Sequence, residues 1–483
     1  MILSRGRHPG GRPGSSSVVS VRKNLIPAFA GMTELKGNAS SMPQLLYIET
    51  FGCQMNERDS EIMAQLLGEH SYVQTNKPEQ ADVVVVNTCS IRGKAAHKAY
   101  SCFGRYKKLK EKGHDFILAV TGCVAQQDGE ALLERMPYID IVMGPQAIYT
   151  LPSLVAAARR QKKPQVATDL SADFIIPPFL PSLAEGPAHK RFITIMQGCD
   201  NFCTYCVVPY TRGREISRSF SDILAEATHL VGQGVKEITL IGQNVNSYGK
   251  KGDAAQNKSF PELLRAVAGI DGLQRLRFTT SHPKDLSEEL VRCFAEIPIL
   301  CPHFHLPVQS GSNSILQRMN RKYTIESYLD KVAKLREYRP DIALTTDIIV
   351  GFPRETEDDF GATMQVVETV RYHGAYSFKY SDRPNAKAAD FPDKVAEEVK
   401  TERLARLQAR QEEIALELKQ VDIGKTVEVM VEGASKAPAN QWSGRTGGNQ
   451  IVNFSCESKL VPGDLLLLEI ESACQNSLRG KMI

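Results

Sequence analysis

The sequence predicts an α/β protein in three parts: an N-terminal parallel α/β domain, a partial (βα)6 barrel and a small C-terminal all-β barrel. Three observations carry this. Continuous apolar, β-branched runs such as "ADVVVVNTC" and "FILAVTGC" suit strands buried on both faces of a parallel sheet. Between residues 191 and 380, six strand-like segments alternate with five amphipathic helical stretches. From residue 421 onward the pattern changes to short alternating runs between Gly-rich turns.

Residues 1–43 stand apart from all three. "SRGRHPGGRPGSSS" is rich in Gly, Pro, Ser and Arg and too poor in apolar residues to build a core. The segment holds six Lys or Arg against one acid, Glu34, more than the whole chain's formal net charge of +4. Global charge therefore gives no support for nucleic-acid binding by the rest, and any such site must be a local patch. The Arg- and Ser-rich composition matches an organelle transit peptide. Yet Pro9, Gly10, Gly11, Pro13 and Gly14 break the helical face such a signal needs. The preferred reading is an extension ahead of a true start at Met32 or Met42.

The first domain spans 44–155. "QLLYIETFGC" reads as a strand over Gln44–Thr50 that leads to Cys53. The two apolar runs lead to Cys89 and Cys123, with helical patterns at Asp59–Leu67 and Lys94–Lys110 between strands. All three cysteines fall just past the carboxyl ends of strands, the edge where open α/β sheets bind ligands. Two readings stand equal at this point: a shared ligand site, or three unrelated core cysteines. A Pro-rich connector, "IIPPFLPSLAEGP", marks a linker over 156–187.

The barrel spans 188–420. Its expected strands are 191–197, 236–242, 275–280, 303–308, 343–350 and 375–380, and residues 395–419 form a long amphipathic helix on its outside. The final unit, 421–483, reads as a five-stranded barrel. With six Lys or Arg and seven Asp or Glu, it is not marked by charge as an RNA binder.

Composition excludes several classes. An apolar fraction of 42% is ordinary for a globular protein, and no apolar run is long enough to span a membrane. Eleven cysteines, an odd number spread over a long chain, argue against a secreted disulfide framework. They point to a reducing compartment, the cytoplasm, and to metal or catalytic thiols. We expect a monomer.

The chemistry concentrates in "GCDNFCTYC", where Cys199, Cys203 and Cys206 follow the first barrel strand with C-x3-C-x2-C spacing. Structural zinc needs four protein ligands, and the next histidine is as far away as His229. A cubane 4Fe-4S cluster on three thiolates keeps one iron open. This spacing, with Tyr205 before the third cysteine, resembles the radical S-adenosylmethionine (SAM) enzymes, in which SAM chelates that iron and is cleaved to a 5′-deoxyadenosyl radical.

A wider resemblance covers residues 44–483. "TFGCQMNERDSE", "VVNTCSIR", "VTGCVAQ", "QGCDNFCTYCVVPYTRGRE", "LIGQNVNSYG", "HLPVQSGSNSILQRMNRKYT" and "TTDIIVGFP" are similar to the methylthiotransferases. "TFGCQMN" and "CVVPYTRG" resemble the MiaB-type branch rather than its relatives that act on threonylcarbamoyladenosine or a ribosomal protein. "GRTGGNQIVNF" and "NSLRG" resemble a TRAM domain, an RNA-binding β-barrel. The resemblance implies a second 4Fe-4S cluster on Cys53, Cys89 and Cys123, whose open iron holds the sulfur to be transferred. It implies one SAM as methyl donor and a second as the radical source that removes hydrogen from C-2 of adenine. The implied substrate is N6-isopentenyladenosine at position 37, in the anticodon loop of tRNA, served by an external electron donor and a sulfur source. The rivals are the same chemistry on threonylcarbamoyladenosine tRNA and a non-catalytic iron–sulfur RNA-binding protein.

By the same resemblance, Gly242, Gln243 and Asn244 contact SAM, as do His305, Gln309, Ser310 and Gly351. Arg212, Arg214 and Arg218 are candidates for the SAM carboxylate or an RNA phosphate, with at least one of them a plain surface residue. His282 ends the third strand and is a weaker candidate. Arg445 and Arg479 are weak candidates for tRNA phosphates. Two departures stand out. "GFPRET" has Arg354 where the family has Gly, which predicts strain at a positive φ. "YSDRPNAKAAD", residues 380–390, lacks the family's "SPRPGTP" pattern.

Overall fold

The computed structural model describes residues 43–90, 93–171, 173–182, 189–250, 258–435 and 441–483, without the side chains of 93–97. Both readings of the N-terminal extension fall outside these residues. In the first domain, β1 (Gln44–Thr50), β2 (Tyr72–Gln74), β3 (Val83–Thr88), β4 (Ile117–Gly122), β5 (Ile141–Met143) and β6 (Gln165–Ala167) form one parallel sheet in the order β2-β1-β3-β4-β5-β6. Only β1, β3 and β4 show in the sequence; the other three are three residues each, too short for a period. Helices α1 (Gln54–Gly68) and α5 (Leu151–Gln161) cover one face, while α2 (Gly93–Glu111), α3 (Cys123–Asp128) and α4 (Glu130–Arg135) serve the other. "VVVV" divides between the two: Val83 and Val85 pack toward α1 and α5, Val84 and Val86 toward α2. The expected linker over 156–187 is corrected in its first third, where the end of α5 and all of β6 complete this sheet.

The strand order turns back between β1 and β3, so the carboxyl ends of these neighbours flank a crevice. Cys53 and Cys89 lie at those two ends.

The second domain carries β7 (Lys190–Thr194), a ribbon of β8 (Met196–Gln197) with β9 (Ile216–Ser217), and then β10 (Glu237–Ile241), β11 (Arg275–Phe278), β12 (His303–His305), β13 (Ala343–Val350) and β14 (Gly374–Lys379). Two parallel halves, β11-β10-β7 and β12-β13-β14, are joined by a bridge between Leu276 and Leu300. Around them run α6 (Val208–Thr211), α7 (Phe220–Gly232), α8 (Phe260–Ala268), α9 (Glu288–Glu296), α10 (Asn313–Arg318), α11 (Ile325–Tyr338), α12 (Glu357–Val370) and α13 (Glu397–Gln420). Ile238, Leu240, Leu276, Phe278, Phe304, Leu344 and Ile348 pack outward onto these helices in one core. The alternate positions, including Arg277, His305 and Asp347, face the inside. α13 lies against β14, where Gln411 Nε2 donates to Tyr372 O at 2.7 Å.

The last domain closes β15 (Thr426–Ala434), β16 (Gln441–Thr446), β17 (Ile451–Ser455), β18 (Leu465–Ala473) and β19 (Leu478–Met482) into a five-stranded barrel. It docks on the amino-terminal ends of the larger barrel's strands. Arg275 donates to Arg445 O at 2.7 Å and pairs with Glu428 at 2.9 Å, and Arg277 donates to Thr446 O at 2.9 Å. Arg445 is engaged at this seam, with Nε 3.2 Å from Glu432, whereas Arg479 stays exposed.

Candidate functional site

Glycine lets the strand ends that carry the N-terminal cysteines approach one another closely. Gly52, before Cys53, has φ +138, and a Cβ there would lie 2.6 Å from Cys89 Cβ. Gly122, before Cys123, has φ +91, and a Cβ there would lie 2.2 Å from Thr88 O. Cys53 is the N-cap of α1 and Cys123 opens α3, so both cysteines sit at helix N-termini. A buried amide clamp sets their spacing. Asn56 Nδ2 donates to Asn87 Oδ1 at 2.8 Å and to Thr88 O at 2.9 Å, and Asn87 Nδ2 returns a bond to Asn56 O at 2.8 Å. Cys53 Sγ lies 3.3 Å from Asn56 Oδ1. Hydrogen bonding with Cys89 lowers the Cys53 thiol below its ordinary range; burial opposes this and the Arg212 charge assists it.

Arg212 comes from the other domain, six residues beyond Cys206, and is 2% exposed. Its Nη2 donates to Asp59 Oδ2 at 2.7 Å. Its guanidinium feels the Cys123 and Cys53 thiols. The expectation that Arg212 meets SAM is therefore not what its contacts show: its side chain reaches α1 of the N-terminal domain, where Asp59 supplies the charge that makes its burial tolerable. Arg218 is likewise buried, sharing Glu226 with Arg58 of α1. Arg214, paired with Asp200 at 2.5 Å, is the surface residue of the three. Arg383, on the loop after β14, is near enough to Cys89 to feel its charge.

The barrel triad sits on a single loop. Gly198, at φ +78, lets Arg214 O approach to 2.0 Å of where a Cβ would be. Gln243 Oε1 accepts the Gly198 N–H at 2.6 Å, and Cys199 N–H donates to Gly213 O at 3.3 Å. Thr204 anchors the far side: its N–H donates to Met319 O at 3.1 Å and its O accepts the Ala388 N–H at 2.8 Å. Burial pushes the Cys199 thiol up to about 11 and the Cys206 thiol up to about 12. Arg321, fully enclosed, reaches within 3.4 Å of Cys203 Sγ and 3.3 Å of Tyr205 OH. His282 Nε2 lies 4.0 Å from the same sulfur, and burial, with Arg321 beside it, keeps that imidazole neutral. Behind the loop, a pocket of about 400 Å³ is walled by Cys203, Cys206, Phe202, Tyr210, Lys387 and Phe391 among others.

The remaining candidates divide. Gly242 admits Met196, whose side chain would meet a Cβ there at 2.4 Å. Asn244 Nδ2 donates to Asp285 at 2.8 Å while its Oδ1 is buried without a partner, as are Asn246 Oδ1 and, after the third barrel strand, Ser281 Oγ. His305 Nδ1 lies 3.0 Å from Thr345 Oγ1 on the inner wall, with Asp347 at 3.5 Å and the Tyr376 ring beside it. Gln309 takes φ +68 and bonds through its backbone to Asp347 and Ile349. Ser310 turns its hydroxyl to Thr363 at 3.4 Å. Gly351, at φ +70, is closely approached by the Lys400 side chain, which a Cβ would meet at 2.1 Å, so Lys400 accounts for this glycine. Arg354 does adopt φ +70, as its replacement of a glycine predicts, and pairs with Asp393 at 2.6 Å. The altered 380–390 loop is well packed, with Ala386 and Ala388 buried and Asn385 taking φ +66, a conformation Asn tolerates.

In neither triad do the thiols already stand in a closed coordination geometry; no group of three or more His, Cys, Asp or Glu among the described residues does. The donor sets nevertheless fit iron–sulfur clusters: three thiols each, glycine-cleared approaches, and the buried, unpartnered Arg212 Nη1, Ser90 Oγ and Thr121 Oγ1 around the first set. Among related proteins, tRNA-2-methylthio-N(6)-dimethylallyladenosine synthases are 52% identical over 444 residues in Desulfotalea psychrophila, covering 90% of this chain and 98% of that one. The synthase of Geobacter metallireducens is 51% identical over 439 residues, covering 91% and 98%. The chain belongs to this synthase family. Within the family frame, residues 45–144 match the uncharacterized protein family UPF0004, 193–367 the radical SAM superfamily and 420–483 the TRAM domain. A family member of this kind is a radical SAM enzyme that transfers a methylthio group. Among solved structures, the radical SAM methyltransferase TsrM of Kitasatospora setae shares the fold, with TM-score 0.50 and 14% identity over 69% of this chain and 72% of that one.

Sequence reasoning missed Asn56, Asp59, Asn87, Arg321 and Arg383. The available signal was the polar run "NERDSE" on a helix that also needs an apolar face: Asn56, Arg58, Asp59 and Ser60 are all buried.

Proposed function

We propose that this chain converts N6-isopentenyladenosine (N6-dimethylallyladenosine) at position 37 of tRNA to its 2-methylthio derivative. The observation that carries the reading is near-half identity to synthases of that name over about nine-tenths of the chain. The junction of the two triads through Arg212 supports it. When bound, two 4Fe-4S clusters and SAM supply the sulfur, the methyl group and the homolytic chemistry that an inert adenine C–H requires.

The chain's own residues do the rest. Cys199, Cys203 and Cys206 hold one cluster; Cys53, Cys89 and Cys123 hold the other. Gly242 and Gln243 keep the cysteine loop seated, and Tyr205 is fixed against Arg321. Asn244 Oδ1 provides a buried acceptor for the SAM ammonium group. His305 and Gln309 line the mouth, while Ser310 and Gly351 shape it through packing. Burial around the thiols excludes water from reactive species. The TRAM domain contributes RNA contact, and an anticodon-loop base turns out of its stack at lower cost than one in a duplex. An external electron donor and a sulfur source complete the requirement, and the thiolate clusters suit the reducing cytoplasm.

Mass spectrometry of tRNA nucleosides after expression in a strain lacking this modification tests the reading. A new 2-methylthio-N6-isopentenyladenosine is expected. Turnover confined to threonylcarbamoyladenosine, or no turnover with both clusters intact, would overturn it.

A further inference from the structure

We propose that Arg212 is a positioning residue of the N-terminal cysteine site, presenting a guanidinium N–H to the sulfur held there while Asp59 fixes its other nitrogen. This rests on the reading that Cys53, Cys89 and Cys123 carry a cluster.

The argument starts from cost. A buried arginine needs its charge balanced and its donors satisfied. Asp59 balances the charge through Nη2 at 2.7 Å, and Asp59 is itself buried. Nη1 is buried with no hydrogen-bond partner among the described residues. Arg–carboxylate pairs are frequently bidentate, through two parallel N–H bonds. Here one edge is spent on Asp59 and the other is left over. α6 packs on α3, the helix that Cys123 opens, and Asp59 lies on α1, the helix that Cys53 caps, so the spare edge shares its surroundings with these two thiols, whose electrostatics act on the guanidinium. Placement adds to this. Arg212 is the C-cap of α6, just beyond the loop of Cys199, Cys203 and Cys206, yet its side chain reaches Asp59 of the other domain. One residue thereby ties the register of the barrel loop to the site where sulfur is held.

A cation with a free donor beside a thiolate cluster stabilises its more negative, reduced form and any sulfide or thiolate bound to it. The test uses the full-length chain carrying C199A, C203A and C206A, so that the N-terminal cluster is read alone, with neither SAM nor tRNA present. Sodium methanethiolate is the probe. With Arg212→Gln, iron should stay at about four per chain. The midpoint potential should fall, and methanethiolate affinity should drop about tenfold, the effect of one charge-assisted hydrogen bond. Arg212→Lys restores the charge but cannot serve Asp59 and sulfur together, so its potential should recover while its affinity stays low. Asp59→Asn should move both readouts the same way as R212Q, by less. An R212Q chain with the parent's potential and affinity would overturn the proposal. So would R212Q and R212K chains that lose iron and thermal stability equally, since that marks a structural pair. A parent chain binding no iron at this triad would remove the cluster reading beneath the proposal, a result that iron analysis tells apart. Failure of the tRNA reading leaves every one of these measurements unchanged.

Discussion

The two cysteine triads are assembled by opposite routes. The barrel triad lies within one loop, Cys199 to Cys206, pinned by Gln243 on one side and Thr204 on the other. The N-terminal triad comes from three strand ends, and only the pairing β1-β3-β4 brings them together. Each route uses glycine immediately before cysteine at positive φ: Gly198 in the loop, Gly52 and Gly122 in the sheet. A local motif needs its loop alone, whereas a site built by sheet topology needs the whole domain. Arg212, beside the barrel loop, pairs with Asp59 of α1 and so joins the two regions.

Cysteine removal is the strongest way to break this comparison. Cys203→Ala should lower iron from about eight to about four per chain and abolish SAM cleavage. Cys89→Ala should lower iron by the same amount while SAM cleavage persists. Loss of both clusters from either single change would show that the sites are not separate.

Glycine replacement tests the dependence on topology. Gly122→Ala sets a Cβ 2.2 Å from a backbone oxygen of the paired strand β3. It should cost about 3 kcal/mol in denaturant unfolding and lose N-terminal iron. Gly198→Ala sets a Cβ 2.0 Å from Arg214 O within the cysteine loop itself, so a cost of about 3 kcal/mol and loss of barrel iron alone are expected. Loss of iron from both triads by either change would remove the contrast.

Acid should find the barrel first. His373, between β13 and α13, is lowered to about 4 by burial, with its Nδ1 accepting the Leu344 N–H at 3.3 Å. Its folded value lies below the unfolded one, so the unfolded chain gains a proton first as pH falls below about 6.5. The contribution of His373 is lost from there down to about 4 and then levels off, to a total of about 3 kcal/mol. His373→Asn should flatten that slope in thermal melts across the same range.

The smallest effect concerns the departure at Arg354. Arg354→Gly relieves the left-handed backbone but frees the unfolded chain and forfeits the Asp393 pair. We expect a gain of about 1 kcal/mol or less, read as a small rise in melting temperature.

Much of this was legible in the residues. Apolar runs announced β1, β3 and β4, and alternating strand and helix patterns announced the larger barrel, because burial on both faces imposes composition directly. The short strands β2, β5 and β6 left no such mark: three residues carry no period, and their pairing is decided by neighbours distant in the chain. Arg212 shows the same limit in a site. Next to the cysteine loop, its position suggested SAM, yet Asp59, 153 residues earlier, sets its direction.

By itself, the sequence determined the local chemistry: C-x3-C-x2-C spacing, glycine before cysteine, and the three-part order of the chain. These follow from covalent geometry and from burial acting on neighbouring residues. Only the tertiary structure decided that the strands leading to Cys53, Cys89 and Cys123 lie side by side, that Asn56 and Asn87 tie α1 to β3, and that Arg212 crosses between domains. Those contacts are chosen by sheet order and by the need to pair buried charge, and neither is encoded in spacing along the chain.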